Sequence, residues 1–185
     1  MTVAAVVLAA GAGTRFGGET HKLRAPFRDK TVVRHALDAA MAANLDGVYV
    51  VTGAVELLDL VPDGVVLVQN HSWALGQATS LRVGVFAAEH DGHDAVVVGL
   101  GDQPLVGAES WRAVAEAQGD LVTALYRGRR SPPVKLGAAV WPLLPTSGDA
   151  GARMVMRMRP EQVVEVSCSG EPVDFDTVED LAAWS

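Results

Sequence analysis

Short apolar runs recur along the chain, separated by stretches in which apolar residues return every three or four positions. Residues 3–8, 47–51, 65–68, 95–100 and 121–125 are nearly continuous in Val, Ala, Leu and Gly. Runs apolar on both faces predict strands of a parallel sheet covered on both sides. Between them, residues 32–43, 56–60, 80–89 and 110–118 carry helical periodicity. Strand–helix alternation of this kind predicts right-handed βαβ units and a three-layer, doubly wound α/β fold with a mostly parallel sheet.

After Tyr126 the rhythm changes. Residues 127–136 read as a basic, Pro-containing loop leading into a short apolar piece. Helices are expected at 138–144 and 149–158, and a strand at 163–167. Thr177 followed by Asp180 has the form of a capping box opening a last helix. No repeat, low-complexity tract or linker interrupts the 185 residues, so a single domain over 1–185 is expected.

Composition narrows the function classes. A net charge of −7 argues against a general nucleic-acid or anionic-membrane binder. A phosphate-bearing ligand stays possible, because it needs only local amides, a few cations and a metal. The single cysteine, Cys168, excludes an internal disulfide framework and a Cys-based zinc site, and reads as a small apolar filler. The apolar N-terminus lacks a basic leader and runs straight into a Gly-rich turn, so it reads as a first strand and not as a signal peptide. No run approaches the ~18 apolar residues of a membrane span. A soluble cytoplasmic protein is expected.

In open α/β sheets ligands bind beyond the carboxyl ends of the strands, which directs attention to four loops and an acidic stretch. The first loop, residues 8–23, holds Gly11, Gly13, Gly17 and Gly18 with Arg15 and Lys22. Glycines let backbone amides approach phosphate oxygens, and the two cations suit a triphosphate. The alternative is a flexible Gly-rich turn with ordinary surface charges. The dinucleotide fingerprint fails, because Phe16 stands at its third glycine position; a Walker loop fails because Lys22 lies between His21 and Leu23. The loop at 99–106 places Asp102 at a strand's carboxyl end, where it either binds Mg²⁺ or caps the next helix.

In an extended segment Asp174 and Asp176 point to one side. Asp174 reads as a helix cap, whereas Asp176 reads as a second metal ligand. Residues 70–82 follow a strand and open a helix, so their small polar groups could read a base edge. Trp73 reads as cover for the core margin. The five histidines show no metal spacing and no G-x-S-x-G elbow occurs. Arg127, Arg129 and Arg130 either meet an anionic acceptor or form a solvated loop.

Together these loops resemble the MobA-like NTP transferases, the molybdenum cofactor nucleotidyltransferase family, and most closely its cytidylyltransferase branch. The motifs are LAAGAGTRFGG with Lys22, NHSWALGQATSLRVGV, GDQPLV, SGDAGAR at 147–153 and DFDTVEDL at 174–181. The resemblance spans nearly the whole chain and implies a nucleotide-diphospho-sugar-transferase-like fold. It implies that Leu8, Ala9, Ala10, Gly11, Gly13, Arg15 and Lys22 hold the nucleotide, with Thr79 and Ser80 near the base or ribose. Asp102 and Asp176 would hold Mg²⁺, and Arg15, Lys22 and Asp102 would be the catalytic set. LAAG and ATSL, where the guanylyl branch has LAGG and a Pro-Leu pair, point to CTP. Two departures stand out: Ser131-Pro132-Pro133 replaces the branch's Gly-His-Pro, and D-F-D-T-V replaces D-x-D-T-P.

The resemblance therefore implies transfer of CMP from CTP to the phosphate of molybdopterin, with release of pyrophosphate. The product would go to a molybdenum hydroxylase, with neither nucleic acid nor membrane as partner. Three alternatives remain: the same fold acting on another phosphorylated acceptor, use of GTP, or a non-catalytic nucleotide-binding protein that delivers cofactor.

Overall fold

The computed structural model describes residues 1–185, arranged around one seven-stranded sheet in the order β5-β4-β1-β6-β8-β7-β9. The main strands are β1 (Val3–Ala9), β4 (Gly47–Thr52), β5 (Val66–Gln69), β6 (Ala95–Leu100), β7 (Leu121–Tyr126), β8 (Arg129–Gly137) and β9 (Val163–Ser167). A two-residue hairpin, β2 (Pro26–Phe27) with β3 (Lys30–Thr31), stands apart from it. Within the seven-stranded sheet only the pairings of β8 with β6 and β7 are antiparallel. The fold is thus the expected mostly parallel α/β arrangement.

Strand alternation sends side chains to two separate cores. Val3, Ala5, Val7 and Ala9 of β1 pack with α1 (Val32–Ala42) and α3 (Ala108–Glu116) on one face. Ala4 and Val6 pack with α2 (Gln77–His90) and α4 (Gly151–Met158) on the other. Close packing requires small residues at the contacts. A Cβ on Gly99 would lie 2.3 Å from the ring of Trp111, which is fully buried against that strand. A third, smaller cluster of Phe16, Ala25, Phe27, Val32 and Phe175 ties the Gly-rich loop to the C-terminal segment.

Three expectations need correction. Residues 127–136 are no loop: 129–137 form β8, inserted between β6 and β7. Arg127 (φ 49) and Gly128 (φ 79) form the tight turn into it, with the two positive φ values such hairpins require. Its prolines are accommodated at a bulge, where the register jumps from Thr123↔Val134 to Ala124↔Ser131, leaving Pro132 and Pro133 without ladder partners. The helix expected at 56–60 is a single 3₁₀ turn, Leu58–Leu60. The stretch at 138–144 is also 3₁₀ (Ala138–Leu143), with Pro142 inside it. The last helix, α5 (Val178–Trp184), opens on the expected capping box of Thr177 and Asp180. No helix is long and apolar enough to cross a membrane.

Candidate active site

The carboxyl ends of β1 and β6 deliver the Gly-rich loop and Asp102 to one place. Gly101 N–H donates to Leu8 O (2.9 Å), locking the two loops side by side. Phe175 N–H donates to Asp102 O (2.9 Å), docking the C-terminal segment against them. Phe175 is fully buried between these loops and the hairpin. Burying that ring leaves its neighbours Asp174 and Asp176 facing the site, as period-two geometry expects.

Lys22 sits at the centre. Its ammonium donates to Asp102 Oδ2 (2.5 Å) and Asp176 Oδ1 (2.8 Å), while Arg15 Nη2 lies 3.1 Å from Asp176 Oδ2. Burial alone would lower the Lys22 pKa, but the Asp102 and Asp176 carboxylates outweigh it and hold the group above the usual lysine value. Two carboxylates thus converge on one cation position, now filled by an ammonium. Such hard oxygen donors suit Mg²⁺, which takes one or two carboxylates and completes its shell with waters and substrate phosphates. No third carboxylate, His or Cys joins them at that point.

His21 sets the entry to Lys22. Its Nδ1 accepts from Leu23 N–H (3.2 Å), so Nε2 carries the proton that it donates to Gly11 O (3.0 Å). Burial, chiefly, lowers its pKa and keeps it neutral. Gly13 (φ +61) lies beneath this ring; a Cβ there would come 2.9 Å from His21 Nε2.

Two cavities meet at Leu8, Gln77 and Leu100. The smaller, about 320 Å³, is lined by Leu8, Ala9, Ala10, Gly11, Lys22, Ser80 and Asp102 among others. Trp73 also borders it while packing on the core margin. Buried Asn70 donates through Nδ2 to both Thr79 Oγ1 and Ser80 Oγ, 2.9 Å each. Thr79 Oγ1 spends its own hydrogen on Gly76 O (2.9 Å) or Ser72 O (3.1 Å), so its hydroxyl holds the loop together. Ser80 lines the cavity, and its hydrogen is not committed to a protein acceptor.

The larger cavity, about 920 Å³, lies on the α2/α4 side and includes Val98, Thr123, Val134, Met156 and Asp174. Asp174 does not cap the last helix. It accepts from buried Gln103 Nε2 (2.8 Å), and burial, then Asp102, raises its pKa. Sequence reasoning assigned no role to His21 or Gln103 and counted Asn70 only within a loop whose polar groups could read a base edge; each acts by holding another residue, and nothing in a residue type announces that.

Comparison with known proteins accords with this geometry. Residues 5–165 match the MobA-like NTP transferase domain. Nicotine blue oxidoreductase of Paenarthrobacter nicotinovorans is 33% identical, with 97% of this chain and 94% of that protein covered. Purine catabolism protein PucB of Bacillus subtilis (strain 168) is 30% identical over 95% of this chain and 92% of its own length. The crystal structure of Rv0371c from Mycobacterium tuberculosis H37Rv superposes with a TM-score of 0.84 at 29% identity, covering 100% of this chain and 97% of that one. A manganese complex of Rv0371c superposes with a TM-score of 0.81 at 28% identity, covering 100% of this chain and 98% of its own. The chain belongs to the MobA-like NTP transferase family, a family of nucleotidyltransferases.

Proposed function

We propose that the protein transfers CMP from CTP to the phosphate of molybdopterin, with Mg²⁺ held by Asp102 and Asp176 and pyrophosphate as the other product. The observation that carries this reading is the convergence of Asp102 and Asp176 on one cation position beside the Gly-rich loop. That Rv0371c, a structural relative, is known as a complex with manganese supports a divalent ion as part of this reading. LAAG in the first loop and ATSL at the start of α2 favour CTP over GTP. The reading places the protein in the cytoplasm, handing its product to a molybdenum hydroxylase.

When bound, the metal neutralises charge on the nucleotide phosphates. Amides of residues 9–13 and the Arg15 guanidinium hold the triphosphate, and Lys22, drawn from its carboxylates to the phosphates, stabilises charge that builds on the α-phosphate. Ser80 is placed to donate to the base or ribose. The acceptor phosphate has a second pKa near ~6 and is already largely ionised at neutral pH. Its oxygen attacks the α-phosphorus, a new P–O bond forms, and the bond to the β-phosphate breaks. No general base is needed, and His21 could not serve as one, because both its ring nitrogens are committed. What the chain supplies is positioning and electrostatic stabilisation.

The test is pyrophosphate release with Mg²⁺, each of the four NTPs, and molybdopterin as acceptor. CTP-dependent release with a molybdopterin–CMP product is expected; release only with GTP, or only with another phosphorylated acceptor, overturns the finer assignment. A second reading, an oxidoreductase, is raised by the name of the 33%-identical relative. The failed dinucleotide fingerprint weighs against it, and NADH or NADPH oxidation by the purified protein would favour it.

A further inference from the structure

The Gly-rich loop carries a row of unused donors. None of the backbone N–H groups of Gly11, Ala12, Gly13, Thr14 and Arg15 donates to a protein acceptor. Gly11 and Ala12 line the smaller cavity together with Lys22 and Asp102. Within residues 11–15 the backbone accepts only two hydrogen bonds: Phe16 N–H donates to Gly13 O (3.1 Å), and His21 Nε2 donates to Gly11 O (3.0 Å). A Cβ at Gly11 would meet nothing within 4 Å, so no packing braces that residue. The plane of the 11–12 peptide is therefore held by His21.

That bond has a consequence on the far side of the plane. A trans peptide is flat, and its C=O and N–H point in opposite directions. The 11–12 peptide is trans, so an inward Gly11 C=O turns the Ala12 N–H away from the imidazole. Ala12 borders the cavity and His21 does not, which puts this N–H on the cavity side. The imidazole is braced in turn: its Nδ1 accepts from the N–H of Leu23, whose side chain is buried in the core. Gly13 leaves room for the ring to lie close against the loop, since a Cβ there would come 2.9 Å from Nε2 and 3.3 Å from Cδ2. A continuous link thus runs from the core at Leu23, through His21 and Gly11 O, to the Ala12 N–H.

We propose that His21 is a positioning residue: by holding Gly11 O it aims the Ala12 N–H at an anionic oxygen of the bound ligand. The proposal rests on the nucleotidyl-transfer reading only for naming that oxygen as one of a nucleotide's phosphates. His21 itself touches no ligand, because both ring nitrogens are spent on the backbone.

The test compares wild type, His21→Ala, His21→Asn and His21→Gln, with CTP–Mg²⁺ and pyrophosphate–Mg²⁺ as separate ligands. Asparagine puts an acceptor near the Nδ1 position, so it keeps the Leu23 bond but falls short of Gly11. Glutamine puts an N–H near the Nε2 position and restores the Gly11 bond. Affinity is read by calorimetry, stability by melting temperature, and the Ala12 amide by NMR. Both ligands should bind about tenfold more weakly to the Ala and Asn variants, the usual effect of one hydrogen bond to a charged oxygen. The Gln variant should recover most of that loss. The Ala12 amide proton should move downfield with ligand in wild type and the Gln variant, and hardly at all in the other two. The Asn–Gln comparison decides the matter even where the Ala variant fails to fold. Full affinity in the Asn variant with loss in the Gln variant would show that the ring serves only the Leu23 turn, and overturns the proposal. An Ala12 signal that neither ligand moves in the wild type overturns it as well. Tight CTP binding that no variant weakens removes His21 from the site and keeps the nucleotidyl-transfer reading. A His21-dependent Ala12 shift with pyrophosphate, in a protein that does not bind CTP, keeps the proposal and removes that reading.

Discussion

Replacing Lys22 with Met removes the ammonium that holds Asp102 and Asp176 together. The lysine side chain is 12% exposed, and the carboxylates are 18% and 27% exposed. Removing one partner of a fully buried pair costs ~3–5 kcal/mol, because the other charge is left without compensation. Partial solvent access to both carboxylates screens that loss, so about 2 kcal/mol is expected. For a chain of 185 residues this corresponds to a fall in Tm of roughly 4–8 °C. The assay is thermal unfolding with and without Mg²⁺. In the variant the two carboxylates face an open cation position, so Mg²⁺ should restore most of the lost Tm while moving the wild type little in the absence of nucleotide. Turnover should fall by about 10²–10³, the usual effect of removing one preorganised charge from a transition state. A Lys22→Met protein that melts with the wild type, or that gains no more from Mg²⁺ than the wild type does, refutes the reasoning.

Three further outcomes are expected. His21 is held below its ordinary pKa, so its contribution to stability is present above pH 6.5 and is lost as pH falls through the folded value; Tm measured from pH 7.5 to 5 should fall less steeply in His21→Asn, and an identical slope would contradict this. Gly99→Ala drives a methyl into the buried Trp111 ring and should cost about 2–3 kcal/mol in urea unfolding, at the upper end for overpacking; an unchanged midpoint would show that the ring moves freely. Buried Lys135 donates to Ala115 O (3.0 Å) and Ala117 O (2.9 Å) at the end of α3, so Lys135→Met should cost about 2 kcal/mol by orphaning both carbonyls, and equal or greater stability would show that burying its charge costs more than those bonds return.

The N-terminal half of the molecule was legible in residue order. Strands β1, β4 and β6 are continuous apolar runs largely buried on both faces, which leaves few other solutions, and the apolar run of β5 forms the partly exposed edge strand beside β4. Asp102 could be singled out because it ends such a run, and Asp176 because alternation in an extended segment puts it and Asp174 on one side, with Asp174 set aside as a cap. The other half was harder to read. β8 begins Arg-Arg-Ser-Pro-Pro, a composition that denotes a loop, and it becomes a strand only because β6 and β7 flank it and a bulge absorbs the prolines. Its turn uses Arg127 at positive φ, where Asn or Asp would have signalled a hairpin. Glu56–Leu60 kept a helical spacing too short to nucleate without support, and one 3₁₀ turn remained. Asp174 was read as a cap because an Asp before a helix usually is one; only the three-dimensional fold brings Gln103 beside it.

The proposed chemistry depends on Asp102 and Asp176 serving a nucleotide-bound metal beside the Gly-rich loop. The most direct measurement is the thermal shift produced by CTP, GTP, ATP and UTP with Mg²⁺, in the wild type and in Asp102→Asn. Selective stabilisation by CTP is expected in the wild type, dependent on Mg²⁺ and lost in the variant, whose own fold remains intact. Equal stabilisation of wild type and Asp102→Asn by CTP, or none by any nucleotide, would contradict it.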